Sequence, residues 1–438
     1  MIGIDIGSVT LKAVELAPAR DGFRLEAVAV GPTPPDTIAQ GVIYEPDQVG
    51  QALSDLLRGA GFRGRKAVIS VGGQTSLAVR VIEMPVMKDD ALRRAIALDL
   101  DRQIPFSPQN TIYDFCKIQP ADAPPDEGTQ EILLAVAQEE LVNGHLNTLR
   151  KAGISPVAID IECLALTRAL VNVAGNGYGR GTVALVNIGA SLTEISIVHD
   201  GLLRMVRALP IGGDSFTTAI GQGFIVESSE AEDIKRQWGT LLLDDTEASA
   251  TSAPPPPQAP VQAPPEEEGL AFAAGREEEE GIQLAGGALD LDLDEGLPSE
   301  EQPAPEAHVA EGAPSESPLA APGAPPTLEA VSDDAERRRM VSRALASVVS
   351  DLGREIAITL DYFSTRKGLE VQGIILSGGS AKIGNIAEFL SREIGVPVVV
   401  GNPFARCRPA PSIDPQYLAD IAPMMGVATG LALRDMLG

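Results

Sequence analysis

Cysteine, histidine and tryptophan are scarce in this chain of 438 residues, which holds three, three and one of them. Cys116, Cys163 and Cys407 lie far apart with no C-x-x-C spacing, so neither a disulfide framework nor a zinc site is expected. His145, His199 and His308 are as scattered, which argues against a side-chain metal cluster. No apolar run approaches the roughly 18 residues of a membrane-spanning helix. The start lacks a basic n-region and an apolar h-region, so a cytoplasmic protein without a signal peptide is expected. Basic residues are also few: 34 Lys and Arg face 61 Asp and Glu, a formal charge of −27. Residues 241–330 hold 20 of those acids against Arg276 alone, a net of −19 that leaves −8 for the rest. Neither portion offers the basic face of a nucleic-acid binder. The length and the 44% hydrophobic content support two sizeable cores.

The run MIGIDIGSVTLKAVEL, Met1 to Leu16, alternates apolar residues up to Asp5, turns at Gly7-Ser8 and alternates again through Lys12. That is a β-hairpin with a tight polar turn. Gly7 lets the backbone turn sharply or approach a ligand, and Ser8 and Thr10 bring hydroxyls and backbone N–H groups. A carboxylate with an ammonium seven residues on suits a divalent cation and a phosphate held together; a plain hairpin with a charged tip is the alternative. Leu185–Val198 repeats the order of apolar run, polar Asn187, Gly189, hydroxyl Ser191 and apolar run. Two such hairpins predict two homologous domains, each offering a loop to one phosphate tail. A third loop, Gly373–Ile383, reads as a strand ending at Gly378-Gly379 and opening a helix through Ser380 and Lys382. It either packs on a nucleobase or turns its N–H groups to phosphate.

In this order the three motifs resemble the phosphate-1, phosphate-2 and adenosine loops of the actin-like ATPases. The resemblance covers nearly everything outside residues 241–330. It implies an α/β actin-like ATPase fold: two ribonuclease H-like domains around an interdomain cleft that takes ATP and Mg2+. In that setting Asp5 orients magnesium through water, and Lys12 meets the β- or γ-phosphate. Gly7, Ser8, Thr10, Gly189 and Ser191 line the phosphate tail. Leu209–Ile220 resembles the family's IGGDxFT element, placing Gly212, Gly213 and Asp214, the expected helix cap, near the ribose. Glu232 and Lys235, three apart on a helix, resemble the adenosine-side Glu and Lys; by spacing alone they are an ordinary exposed ion pair. The strand Ile154–Glu162 leads to the connecting helix, so Glu162 or Asp160 either faces the metal or attacking water, or is an acid favoured by the helix dipole. Asn187 stands where the family has Asp. It is neutral and cannot accept a proton, so nucleotide binding with slow or absent hydrolysis is expected.

Between the hairpins, Asp89–Gln103 and Glu139–Ala152 read as helices on either side of two strands, Tyr113–Ile118 and Glu131–Ala137. This inserted module, and the run MPVMKDDALRRAIALDLDRQIPFSPQN in particular, resembles the small subdomain of the PilM and FtsA branch. The expected plan is 1–82 first domain, 83–152 inserted subdomain, 153–180 connecting segment and 181–240 second domain. Residues 241–330 form an acidic Pro/Ala/Glu-rich insertion expected to be disordered, in which Ala288–Leu297 alternates Leu and Asp as a docking motif or a solvated tether. The second domain resumes at 331–405, and 406–438 returns to the first, closing on a helix over Leu418–Gly438.

Resemblance to the PilM family implies a type IV pilus scaffold that docks the N-terminal cytoplasmic tail of PilN, beside the motor ATPases and the inner-membrane platform. The end at Asp435–Gly438 has no basic amphipathic helix of the FtsA kind, so the membrane is expected to be reached through a partner, without direct insertion. A sugar- or acetate-type kinase of the superfamily, an FtsA-like division protein and the cytoplasmic domain of a type II secretion scaffold are the alternatives.

Overall fold

The computed structural model describes residues 1–20, 22–73, 75–118, 128–172, 179–243 and 333–436. They fall in one unit, Met1–Leu243 with Pro325–Gly438; the other unit, Asp244–Ala324, and with it the Leu/Asp stretch, lies outside the described residues. The expected start of the insertion moves, because Leu241 is fully buried in the second core and its N–H donates to the Gly384 carbonyl.

The alternating N-terminal run forms β1 (Ile2–Ile6) and β2 (Thr10–Ala19), an antiparallel pair with Asp5 opposite Lys12. All of β1 is buried, as expected of an inner strand covered on both faces. β3 (Gly22–Pro32) adds antiparallel to β2. The short pair β4 (Ile38–Ala39) and β5 (Val42–Ile43) and helix α1 (Pro46–Gly59) lead to β6 (Lys66–Val71), parallel to β1. Proline in its first turn starts α1 at no hydrogen-bond cost, and Val49, Leu53 and Leu57 face the sheet.

The inserted module comprises β7 (Leu77–Pro85), α2 (Asp89–Gln103), β8 (Thr111–Lys117), β9 (Thr129–Gln138) and α3 (Glu139–Lys151). The sheet order is β7-β9-β8, all antiparallel. β9 is buried on both faces: Ile132, Leu134 and Val136 meet Leu92, Ile96 and Leu100 of α2, while Leu133 faces a cluster shared with both lobes. The expected limits at 83 and 152 shift on packing grounds. The module's sheet begins at Leu77, and α3 lies on α1, with Leu149 in the first lobe's core. An ion network also ties the module to the second lobe: Glu131 pairs with Arg204 and, at 2.8 Å, with Lys367, which reaches Glu83 at 3.6 Å. These cations hold the Glu131 carboxyl below its usual range against the opposing effect of burial.

β10 (Ser155–Ile161) joins parallel to β6, and α4 (Glu162–Thr167) widens into a π turn over Arg168–Asn172. The second lobe then repeats the first: β11 (Thr182–Ile188), β12 (Thr193–His199), β13 (Leu202–Leu209), α5 (Gly213–Phe224), α6 (Ser228–Trp238), α7 (Asp334–Lys367), β14 (Gly373–Ser377), α8 (Ile386–Ile394) and β15 (Val398–Val400). Its sheet runs β13-β12-β11-β14-β15; the first runs β3-β2-β1-β6-β10, with the same pattern of antiparallel and parallel neighbours. Two copies of one ribonuclease H-like sheet are therefore present, as the paired hairpins predict. In the second core α7 presents Val341, Leu345, Val349, Leu352, Ile356 and Phe363 at helical spacing, each fully buried apolar side chain contributing about 1.5–3 kcal/mol.

The chain closes with β16 (Cys407–Pro409), parallel on the outer edge of β3, then α9 (Pro415–Ile421) and α10 (Gly426–Ala432). The single closing helix expected over Leu418–Gly438 is instead broken by a 3-10 turn at Ala422–Met424. Pro423 lacks the N–H that would continue α9. The Pro423 carbonyl accepts from the Gly378 N–H at 2.8 Å and the Ser377 hydroxyl at 3.0 Å, pinning the third loop. α4 and α10 meet at backbone contact: a Cβ on Gly430 would fall 1.8 Å from the Ala165 carbonyl oxygen, so no larger residue fits there.

Candidate functional site

The two hairpin turns are built alike. The Gly7 N–H donates to the Thr10 carbonyl at 3.1 Å, and the Gly189 N–H to the Leu192 carbonyl at 2.9 Å. Both turns have their carbonyls held from behind. In the first lobe the Thr33 hydroxyl donates to the Gly7 carbonyl at 2.7 Å, and its N–H to the Val9 carbonyl at 3.0 Å. In the second, the Gly213 and Asp214 N–H groups donate to the Gly189 and Ala190 carbonyls at 2.9 and 2.8 Å. The N–H groups of Ser8, Val9, Ala190 and Ser191 have no partner among the described residues. Successive free N–H groups on a tight turn form an anion-binding concavity. Asp214 is exposed and sits inside the first turn of α5; Gly212 is the cap, its N–H meeting the Ser215 hydroxyl, so the expected capping role of Asp214 is not observed.

Below the turns lies a charged floor. Lys12 Nζ meets Asp5 Oδ2 at 3.0 Å, both side chains being about one-tenth exposed. Asn187 Nδ2 donates to Glu162 Oε2 at 3.3 Å, which brings the second hairpin to the first residue of α4. Glu162 has room there because position 72 is glycine; a Cβ on Gly72 would lie 2.2 Å from Glu162 Oε1. Glu162 is the acid that faces the cleft, since Asp160 is taken by Arg168 and, at 3.6 Å, by Arg434. Burial and then the neighbouring Asp5 and Glu194 push the Glu162 carboxyl up to about 8, against Lys12 and the Asn187 hydrogen bond. Burial likewise raises the Glu194 carboxyl, to about 7. By surface area both residues are half-buried.

Glu194 escapes a reading of the motif alone, yet the repeat contains it. In register, Asp5 pairs with Lys12 across the first hairpin and Asn187 pairs with Glu194 across the second. Superposing the hairpins places Asn187 on Asp5 and Glu194 on Lys12, so the second lobe offers a carboxylate where the first offers an ammonium. Thr33 and Gly72 carry no comparable sequence signal, because their roles depend on contacts across the sheet.

The remaining expected residues gather on the second lobe, with one exception. Lys235 Nζ donates to the Gly213 carbonyl at 2.9 Å and meets the Thr217 hydroxyl at 2.7 Å and Glu232 at 2.6 Å. The Glu232–Lys235 pair is thus a half-buried network around Thr217, and the exposed i,i+3 pair allowed by spacing alone is not what forms. The positive φ of Gly378, +97°, lets the third loop pass within contact of the Ile188 carbonyl, where a Cβ would fall at 2.3 Å. Ser380 comes to Gly213, where a Cβ would sit 2.9 Å from its hydroxyl. The loop opens a single 3-10 turn, Gly379–Lys382, and not the expected helix; α8 starts only at Ile386. Lys382 is not brought to the group, because its ammonium pairs with exposed Asp420 at 3.0 Å.

Among the described residues no three His, Cys, Asp or Glu side chains are placed to hold a metal by themselves. Asp5 gives one hard oxygen donor beside an anion-binding turn. That donor fits a magnesium ion that arrives with phosphate oxygens and keeps several of its waters.

Comparisons with known proteins agree with this architecture. A family model described as type IV pilus assembly protein PilM matches residues 3–242, and one for cell division protein FtsA matches residues 184–422. FtsA of Bacillus subtilis (strain 168) is 25% identical over 266 residues, covering 56% of this chain and 59% of its own length. FtsA of Pseudomonas aeruginosa is 23% identical over 275 residues, covering 55% and 61%. The chain thus spans about three fifths of the length of the curated relatives it matches. Among solved structures, a PilM–PilN type IV pilus biogenesis complex aligns with a TM-score of 0.71 at 23% identity, over 100% of this chain and 98% of that one. At that identity the likeness establishes the fold, which is the actin-like one.

Proposed function

The chain belongs to the type IV pilus assembly protein PilM family, and on that premise we propose that it is an ATP-binding scaffold of pilus biogenesis whose lobes close on the nucleotide. The observation that carries the nucleotide half is the pair of turns with free N–H groups, one on each lobe, above Lys12 and Asp5. A phosphate chain held by both turns favours the closed arrangement of the lobes by whatever free energy it gains from contacting both at once. Lys12 balances phosphate charge. Asp5 would orient, through water, the magnesium that accompanies ATP, and the Glu232–Lys235–Thr217 network with Gly213 and Ser380 lies on the nucleoside side. When bound, magnesium supplies charge neutralisation of the phosphates. Turnover is slow in this reading, because Asn187 is neutral, cannot accept a proton and attracts metal less than a carboxylate would.

The scaffold half of the proposal rests on family membership and on the fold shared with the PilM–PilN complex. The inserted module, packed on both lobes and tied to the second by Glu131, Arg204 and Lys367, is the element through which closure would reach a docked PilN tail. The protein would then sit on the cytoplasmic side of the inner membrane through that partner, next to the motor ATPases and the platform; among the described residues no helix is long and apolar enough to cross a membrane. The family match favours the pilus scaffold over the kinase and secretion-scaffold alternatives.

A labelled peptide copying the cytoplasmic tail of PilN, titrated by fluorescence anisotropy with and without ATP and magnesium, tests the proposal. Binding at micromolar strength or better, changed by the nucleotide, is expected. No binding in either state rejects the scaffold reading, and binding indifferent to nucleotide rejects the coupling.

A further inference from the structure

Thr33 lies just past β3, away from every motif, and is 6% exposed. It makes two hydrogen bonds to the first turn: the hydroxyl to the Gly7 carbonyl at 2.7 Å and the N–H to the Val9 carbonyl at 3.0 Å. A trans peptide is planar, with its C=O and N–H pointing in opposite directions. Holding the Gly7 carbonyl from behind therefore aims the Ser8 N–H, its partner in the same peptide unit, away from Thr33. The second lobe reaches the same end by other means: the Gly213 and Asp214 N–H groups hold the Gly189 and Ala190 carbonyls, aiming the Ala190 and Ser191 N–H groups outward. Helix α5 thus spends its first N–H groups on its turn, whereas the first lobe has one threonine side chain in that place.

We infer that Thr33 is a positioning residue for the nucleotide site, holding the first turn so that its N–H groups meet the phosphate chain. The inference rests on the nucleotide reading above and deepens it, because it makes phosphate recognition in the first lobe depend on a hydroxyl that touches no ligand. Valine is close to threonine in shape and keeps the backbone bond to Val9, so Thr33→Val removes the Gly7 contact alone.

Calorimetric titration with ATP and magnesium, and separately with adenosine, distinguishes the outcomes. Thr33→Val is expected to weaken ATP about tenfold, the loss of one well-placed hydrogen bond, while adenosine changes less than about twofold. Thr33→Ser, which keeps the hydroxyl, is expected to restore most of the ATP affinity. Unchanged ATP affinity in Thr33→Val overturns the inference alone, as does equal loss of ATP and adenosine or failure of Thr33→Ser to restore binding. Absence of ATP binding by the unmodified protein overturns the nucleotide reading itself. Should Thr33→Val not fold, Thr33→Ala removes the same hydroxyl without adding a second methyl group, and the same comparisons apply.

Discussion

Affinity for ATP is expected to fall at least about a hundredfold in Lys12→Met, with a smaller loss of stability. The ammonium is the first lobe's cation at the turn, and it lies in a largely enclosed pair with Asp5 at 3.0 Å. Its removal acts twice. The phosphate chain loses a charge-assisted partner, worth about 1.5–3 kcal/mol. Asp5 is left unpaired near Glu162 and Glu194, so the incoming anion meets a floor with more negative charge. The double variant Asp5→Asn/Lys12→Met separates the effects: it relieves the uncompensated carboxylate and should recover stability without recovering ATP binding. Calorimetry and thermal unfolding on the same samples check both parts. Wild-type ATP affinity in Lys12→Met would remove the first hairpin from the site.

The second large effect is on stability as a function of pH, measured without nucleotide or divalent cation. Glu162 and Glu194 hold their protons up to about 8 and about 7 in the folded protein, while an unfolded glutamate releases its proton near 4.5. Between those limits the folded state binds more protons than the unfolded one, so stability falls as pH rises. The stability these groups contribute is fully present below the unfolded value and is lost as pH climbs through the folded values. Across that window the loss is of the order of several kcal/mol, since each unit of displacement corresponds to about 1.4 kcal/mol. The melting temperature should therefore decline from pH 5.5 to pH 9. Glu162→Gln, which keeps the shape and can still pair with Asn187, should flatten the decline and raise stability at pH 9 while changing little at pH 5.5. An unaltered slope in Glu162→Gln would show that burial does not hold the proton on this carboxyl.

How much of this was legible in the sequence depends on the distance over which each feature is encoded. The hairpins are local: Asp5 and Lys12, with Gly7 between them, specify strand, turn and strand within a dozen residues, and the structure pairs them as the alternation requires. The long helix α7 is legible for the same reason, since Val341, Leu345, Val349 and Leu352 repeat at helical spacing and settle in one core. The closing helix is where local reading failed. Leu418–Gly438 is apolar throughout, but Pro423 removes a donor, and its carbonyl is claimed by Gly378 from a distant loop. The choice between Asp160 and Glu162 could not be made from spacing, because it turns on Arg168 and Arg434 neutralising one acid and on Gly72 making room for the other. Glu194 lies between these cases: it is encoded locally, but only when the second hairpin is laid on the first. Lys382 belongs to the adenosine motif by position and to Asp420 by geometry.

On the proposed reading, two turns, one on each lobe, hold one phosphate chain. A calorimetric series of ATP, ADP, AMP and adenosine against the unmodified protein, with magnesium present, tests it most directly. Stepwise gains in affinity with each added phosphate, and one molecule of ATP bound per chain, are the expected result. Equal affinity for ATP and adenosine, or no binding of any of the four, would contradict it.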